Sequence, residues 1–94
     1  MKIVLLDGNK IQKMEDLHKA FSQELDFPAW YGANLDALYD MLTASTEEIG
    51  VIAVNTDFLK MHLGRRWNAL KRLLSDVEKL QPSFHVNLDP FVDV

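Results

Sequence analysis

The sequence predicts an α/β fold, a three-stranded parallel sheet with helices packed on it in the order β-α-α-β-α-α-β. Three observations predict it. Two short apolar runs, Lys2–Leu6 and Val51–Val54, stand far apart, and each is followed by helical periodicity. A third segment, Phe84–Leu88, alternates apolar with polar residues. Strands separated by helices need crossovers, which join parallel neighbours. With sequential strand order, right-handed crossovers place both helical layers on one face of the sheet.

Lys2–Leu6 is β-branched and apolar, and Asp7-Gly8 or Gly8-Asn9 makes the turn after it. From about Lys13 to Leu25, Met14, Leu17, Phe21 and Leu25 recur every three or four residues, as an amphipathic helix requires. Glu15 and Asp16 fall in its first turn, where negative charge is favoured. Pro28 fixes its own φ and pushes Phe27 towards an extended conformation, so no helix should run through that point. Gly32 supplies the freedom from Cβ restriction that a turn needs. Asn34 is a good N-cap for a short helix from Leu35 to Leu42 or Ala44.

Ser45–Gly50 is polar and reads as a loop. Val51–Val54 is continuously apolar, suiting a central parallel strand covered on both faces. Thr56 is expected to cap a helix from Asp57 to Leu63, with Gly64 as its stop. The next helix runs from about Arg65 to Leu80 with Trp67, Leu70, Leu73, Leu74, Val77 and Leu80 in one stripe, and Pro82 ends it. In the third strand, Phe84, Val86 and Leu88 alternate with His85, Asn87 and Asp89. Beyond Pro90, Phe91 and Val92 are expected to pack.

At 94 residues and 48% hydrophobic composition, the chain is expected to form a single domain, 1–94, with one core. It contains no cysteine, which excludes disulfides, thiol catalysis and cysteine-based zinc sites. The apolar run Ile3–Leu6 is too short for a signal peptide or membrane span, so a cytoplasmic protein is expected.

The net charge of −4 is unevenly spread. Between Glu15 and Glu48 there are eight acidic residues against one base, Lys19. Between Lys60 and Lys79 there are six basic residues against Asp76 and Glu78. The two segments either neutralise each other inside the fold, or leave an acidic face that attracts a basic protein and repels nucleic acid.

The stretch Phe27–Leu42 carries the sharpest signal. At about 100° per residue, Leu35, Leu38 and Leu42 share one side of the helix, while Asp36, Tyr39, Asp40 and Thr43 fall on the other. Two carboxylates one turn apart repel each other by roughly 0.2–0.5 kcal/mol, offset in part at Asp36 by the helix N-terminus. Such a face is either simply solvated or a surface for a cationic partner. Trp30 and Tyr31, in the loop just before, favour the second reading, because aromatics beside charge are typical of binding hot spots.

Catalytic chemistry finds little footing. His18, His62 and His85 have no metal-ligand spacing, the four glycines stand alone, and no nucleophile elbow exists. Asp36 and Asp40 lie on one helix turn rather than across a cleft, unlike a glycosidase pair. No enzyme activity, metal or cofactor is expected.

The run P-A-W-Y-G-A-N-L-D-A-L-Y-D-M-L resembles the core motif of the barstar family, intracellular inhibitors of bacterial ribonucleases. The similarity extends upstream through D-G-N-K-I and E-D-L-H-K-A-F. The resemblance implies a barstar-like fold and a loop and helix that plug a ribonuclease active site. It places Trp30 at an interface tyrosine position, Tyr31, Gly32, Asn34 and Asp36 among the contacts, Tyr39 where the family often has tryptophan, and Asp40 at the central aspartate. Asp76 falls where a supporting acid is expected. The implied partner is a basic ribonuclease or nuclease toxin, with no direct nucleic acid, no membrane and a monomer when free. The alternatives are an immunity protein against a different toxin, or a binding module of this fold with a non-nuclease partner.

Overall fold

The computed structural model describes residues 1–88. The expectations for Asp89, Phe91 and Val92 lie outside the described residues. The elements are β1 (Lys2–Asp7), α1 (Met14–Leu25), α2 (Leu35–Ala44), β2 (Ile49–Val54), α3 (Thr56–Leu63), α4 (Arg65–Leu80) and β3 (Phe84–Leu88). The strands are parallel, as the element string predicts, and ordered β1-β2-β3, with β2 central as its apolar run predicts.

Register sorts the side chains. Val4, Val51 and Val86 lie abreast, as do Leu6, Ala53 and Leu88. Val4, Leu6, Ile49, Val51, Ala53 and Phe84 are buried against Leu17 and Phe21 of α1, Leu38 and Leu42 of α2, Leu59 and Leu63 of α3, and Trp67, Leu70, Leu74 and Val77 of α4. Each fully buried side chain of this size contributes about 1.5–3 kcal/mol. On the other face, Ile3 and Leu5 are exposed, and Ile52 and Val54 are only partly covered. β2 is therefore central as expected but not covered on both faces. Sequential order with right-handed crossovers leaves the helices on one side.

Three local expectations need correction. β2 begins at Ile49, whose N–H donates to the Ser83 carbonyl at 3.0 Å, so the loop before it ends at Glu48. The boundary residue of α3 is Asn55, in the left-handed region at φ 53°, and Thr56 is inside the helix with its hydroxyl buried and unpartnered. Asn55 donates its side-chain amide to Asp7 Oδ1 at 2.9 Å instead of capping. Leu80 is 61% exposed. On the α4 helical wheel it shares the margin with the half-buried Leu73, about 20° away, outside the arc of Trp67, Leu70, Leu74 and Val77. Gly64, at φ 59°, separates α3 from α4 as expected.

Candidate functional site

The site is built where α1 hands over to α2. α1 stops at Leu25 because Asp26 turns into the left-handed region at φ 56°, and the N–H of Phe27 returns to the Ser22 carbonyl at 3.0 Å. The Tyr31 N–H then donates to the Pro28 carbonyl at 3.0 Å, closing a tight turn that carries Trp30 at its crest. Trp30 is 79% exposed.

The loop is fastened from beneath. The Tyr31 ring packs on Phe27 with centroids 4.8 Å apart, and its hydroxyl meets His18 Nδ1 at 2.7 Å. Burial lowers the His18 pKa below its ordinary value and raises the Tyr31 phenol to about 12, so both are neutral at pH 7. By sequence alone, His18 lacks metal-ligand spacing and has the standing of any surface or packed histidine. The available signal was its place on the apolar side of α1, between Leu17 and Phe21.

α2 begins as its cap chemistry dictates. Asn34 is extended at φ −137°, and its Oδ1 accepts from the Ala37 N–H at 2.8 Å. The left-handed residue of the turn is Ala33 at φ 50°, not Gly32. Gly32 matters for space: a Cβ there would sit 3.2 Å from Asn34 Nδ2. At the other end, the Gln81 side-chain amide donates to the carbonyls of Thr43 and Ser45, tying the end of α2 to the residue after α4.

Leu38 and Leu42 face the core, and Asp36 and Asp40 face solvent. Tyr39 departs from the expected outward arc. It lies only about 40° around the helix from Leu35, and it is half-buried against the core. Thr43 turns its hydroxyl to the carbonyls of Tyr39 and Asp40, at 2.8 and 3.3 Å.

The two charged segments do not neutralise each other. The ion pairs among the described residues are Lys2–Glu47, Lys13–Glu15, Lys19–Glu15 and His85–Glu48. None joins the acidic segment to the bases of Lys60–Lys79. Among the described residues, no cationic nitrogen lies within 4.0 Å of Asp36, Asp40 or Asp76. Asp76 is exposed on α4, the helix packed against α2. No cluster of potential metal ligands occurs among the described residues.

The family model described as "Barstar (barnase inhibitor)" matches residues 1–91. The chain belongs to the barstar family. A Bacillus subtilis (strain 168) relative named "Putative ribonuclease inhibitor YrdF" is 30% identical over 91 residues, covering 95% of this chain and 100% of the relative. The barstar match spans every element above, so the loop, α2 and α4 all lie within it.

Proposed function

We propose that this barstar-family chain is a protein inhibitor of a basic bacterial ribonuclease. It acts by seating the loop 27–33 and the outward face of α2 in the enzyme's active site. The observation that carries the reading is the pair Asp36 and Asp40, exposed one turn apart on a capped helix with no cationic nitrogen of the described residues within 4.0 Å.

A ribonuclease gathers cationic groups around the substrate phosphate. A carboxylate held at that place accepts charge-assisted hydrogen bonds from the same donors. Because the helix is already formed and tied at both ends, little side-chain and backbone freedom is lost on binding. Asp40 takes the central role, with Asp36 beside it and Asp76 in support. Trp30, Tyr31, Gly32, Asn34 and Tyr39 supply the surrounding contact. The protein itself turns over nothing; inhibition is stoichiometric and takes place in the cytoplasm.

The test is a titration of RNA cleavage by a panel of basic bacterial ribonucleases, barnase included. Stoichiometric loss of activity is expected for at least one enzyme, relieved by Asp40→Ala and more weakly by Asp36→Ala. Full activity across the panel, or inhibition indifferent to Asp40→Ala, would overturn the proposal.

A further inference from the structure

Gln81 stands where three elements meet. Pro82 follows it and biases it towards an extended conformation, which it adopts at φ −116° and ψ 108°. Its N–H still returns to the Val77 carbonyl at 2.8 Å, closing the last turn of α4. Its own carbonyl accepts from the Phe84 N–H at 3.1 Å, at the start of β3. The main chain of Gln81 is therefore held on both sides, and its side chain leaves from a fixed point.

That side chain reaches α2. The last carbonyls of a helix have no partner within it. A left-handed residue just past the end, or a cation in the last turn, commonly meets them. α2 has no basic residue in its last turn, and Ser45 after it is extended at φ −74° and ψ 139°. The Gln81 amide supplies the donor instead. Its Nε2 bonds the Thr43 carbonyl, with the Ser45 carbonyl at 3.5 Å as a second, weaker acceptor.

Thr43 links this contact to the carboxylates. Its hydroxyl bonds the carbonyls of Tyr39 and Asp40 one turn back, at 2.8 and 3.3 Å. Asp40 is thus joined to Thr43 within α2, and Thr43 to Gln81. On α4, the carbonyl that takes the Gln81 N–H belongs to Val77, the neighbour of Asp76. Gln81 therefore spans the two helices whose exposed acids, Asp40 and Asp76, belong to the proposed contact.

We infer that Gln81 is a positioning residue of the inhibitory face: it holds the C-terminal end of α2 against the end of α4, and so sets Asp40 relative to Asp76. The inference rests on the inhibitor reading above. Gln81 is partly buried and needs no contact with the enzyme to act in this way. A helix displaced at one end carries its carboxylate off the donors it should meet, and charge-assisted hydrogen bonds depend on that alignment.

Gln81→Met is the test variant, because it keeps the length of the side chain and removes the donor. In the free chain, amide hydrogen exchange in the last turn of α2 should quicken, while that of α1 should not. Exchange unaltered in α2 would show that the bond holds nothing in place, and would overturn the proposal. Inhibition of the most strongly inhibited ribonuclease, measured well below the Tm of both variant and wild type, should weaken by about three- to tenfold. A residue that only stabilises the fold would lower Tm and leave that affinity untouched.

A double-mutant cycle locates the effect. Asp40→Ala should cost less affinity in the Gln81→Met background than in the wild type. Trp30→Ala, on the loop before the other end of α2, should cost the same in both. Unchanged affinity in Gln81→Met, or a loss fully additive with that of Asp40→Ala, would overturn the positioning role and leave the inhibitor reading standing. If Asp40→Ala relieves no inhibition, the inhibitor reading fails and the positioning role falls with it.

Discussion

His18 Nδ1 and the Tyr31 hydroxyl meet at 2.7 Å across thirteen residues of chain, joining the middle of α1 to the loop that displays Trp30. The bond predicts a pH dependence of stability. Burial holds the imidazole below its ordinary value of about 6.5, so the unfolded chain takes up the proton first as acid is added. The contribution is fully present above that ordinary value and declines as pH falls through it. Urea midpoints should therefore drop between pH 7.5 and 5.5, and His18→Gln should flatten most of that slope. A wild-type midpoint constant across this window would refute the linkage. Tyr31→Phe, which leaves Nδ1 without its partner, should cost about 1–3 kcal/mol at pH 7.5.

Asp40 should show opposite effects on the free and bound protein. In the free chain it is exposed one turn from Asp36, with no cationic nitrogen of the described residues within 4.0 Å. Asp40→Asn removes a like-charge contact and should leave stability unchanged or raise it by about 0.2–0.5 kcal/mol in urea unfolding. Binding should weaken sharply. The scale is taken over from the barnase–barstar interface, where close charge pairs couple by about 1.5–7 kcal/mol. A variant that lost stability and kept its affinity would make Asp40 a structural residue.

Asn34 ties stability and presentation together. Its Oδ1 satisfies the Ala37 N–H at 2.8 Å, and this bond starts the helix that carries both carboxylates. Asn34→Ala should cost about 1 kcal/mol, and Asn34→Gly only a few tenths. For a domain of this size that is about 4–8 °C in Tm for the alanine variant. Equal Tm values for alanine and wild type would show that the cap bond adds nothing net.

Much of this was legible because it is local. The α2 register, its Asn34 cap and the outward pair Asp36 and Asp40 all follow from neighbours within a turn. The parallel pairing followed from the element string, and the central place of β2 from its apolar run. What was not legible depends on distant partners. Asn55 takes the left-handed conformation at the end of β2 while bonded to Asp7, 48 residues away, and this displaced Thr56 as the expected cap. The His18–Tyr31 bond needs the return of the loop onto α1, which periodicity does not encode. Whether the acidic and basic segments would pair also required the fold, since composition alone allowed either outcome.

The acidic segment, unbridged to the basic one, predicts electrostatic steering. With none of its acids bridged to the bases of Lys60–Lys79, the field around Asp36 and Asp40 is not cancelled locally. The association rate with a basic ribonuclease should fall by about tenfold or more between low and physiological ionic strength. The screening length shrinks over that range from about 30 to about 8 Å. Dissociation should change far less, because contacts already made are shorter than either length. A flat association rate in stopped-flow measurements would remove steering from the mechanism.

Trp30 and Trp67 separate the proposed contact from the core in a single spectroscopic experiment. Trp30 is 79% exposed on the loop, whereas Trp67 is 3% exposed in the core on α4. Trp30→Ala deletes an exposed ring, so urea unfolding should move by no more than about 0.5 kcal/mol. A hot-spot aromatic, by contrast, costs at least about 2 kcal/mol when truncated at an interface. The emission of the free protein should combine a red, solvent-exposed component from Trp30 with a blue one from Trp67. Ribonuclease binding should shift or quench only the red component, and Trp30→Phe should abolish that change while inhibition largely persists. If the change survives in Trp30→Phe, the reporter is elsewhere, and the crest of the loop does not enter the interface.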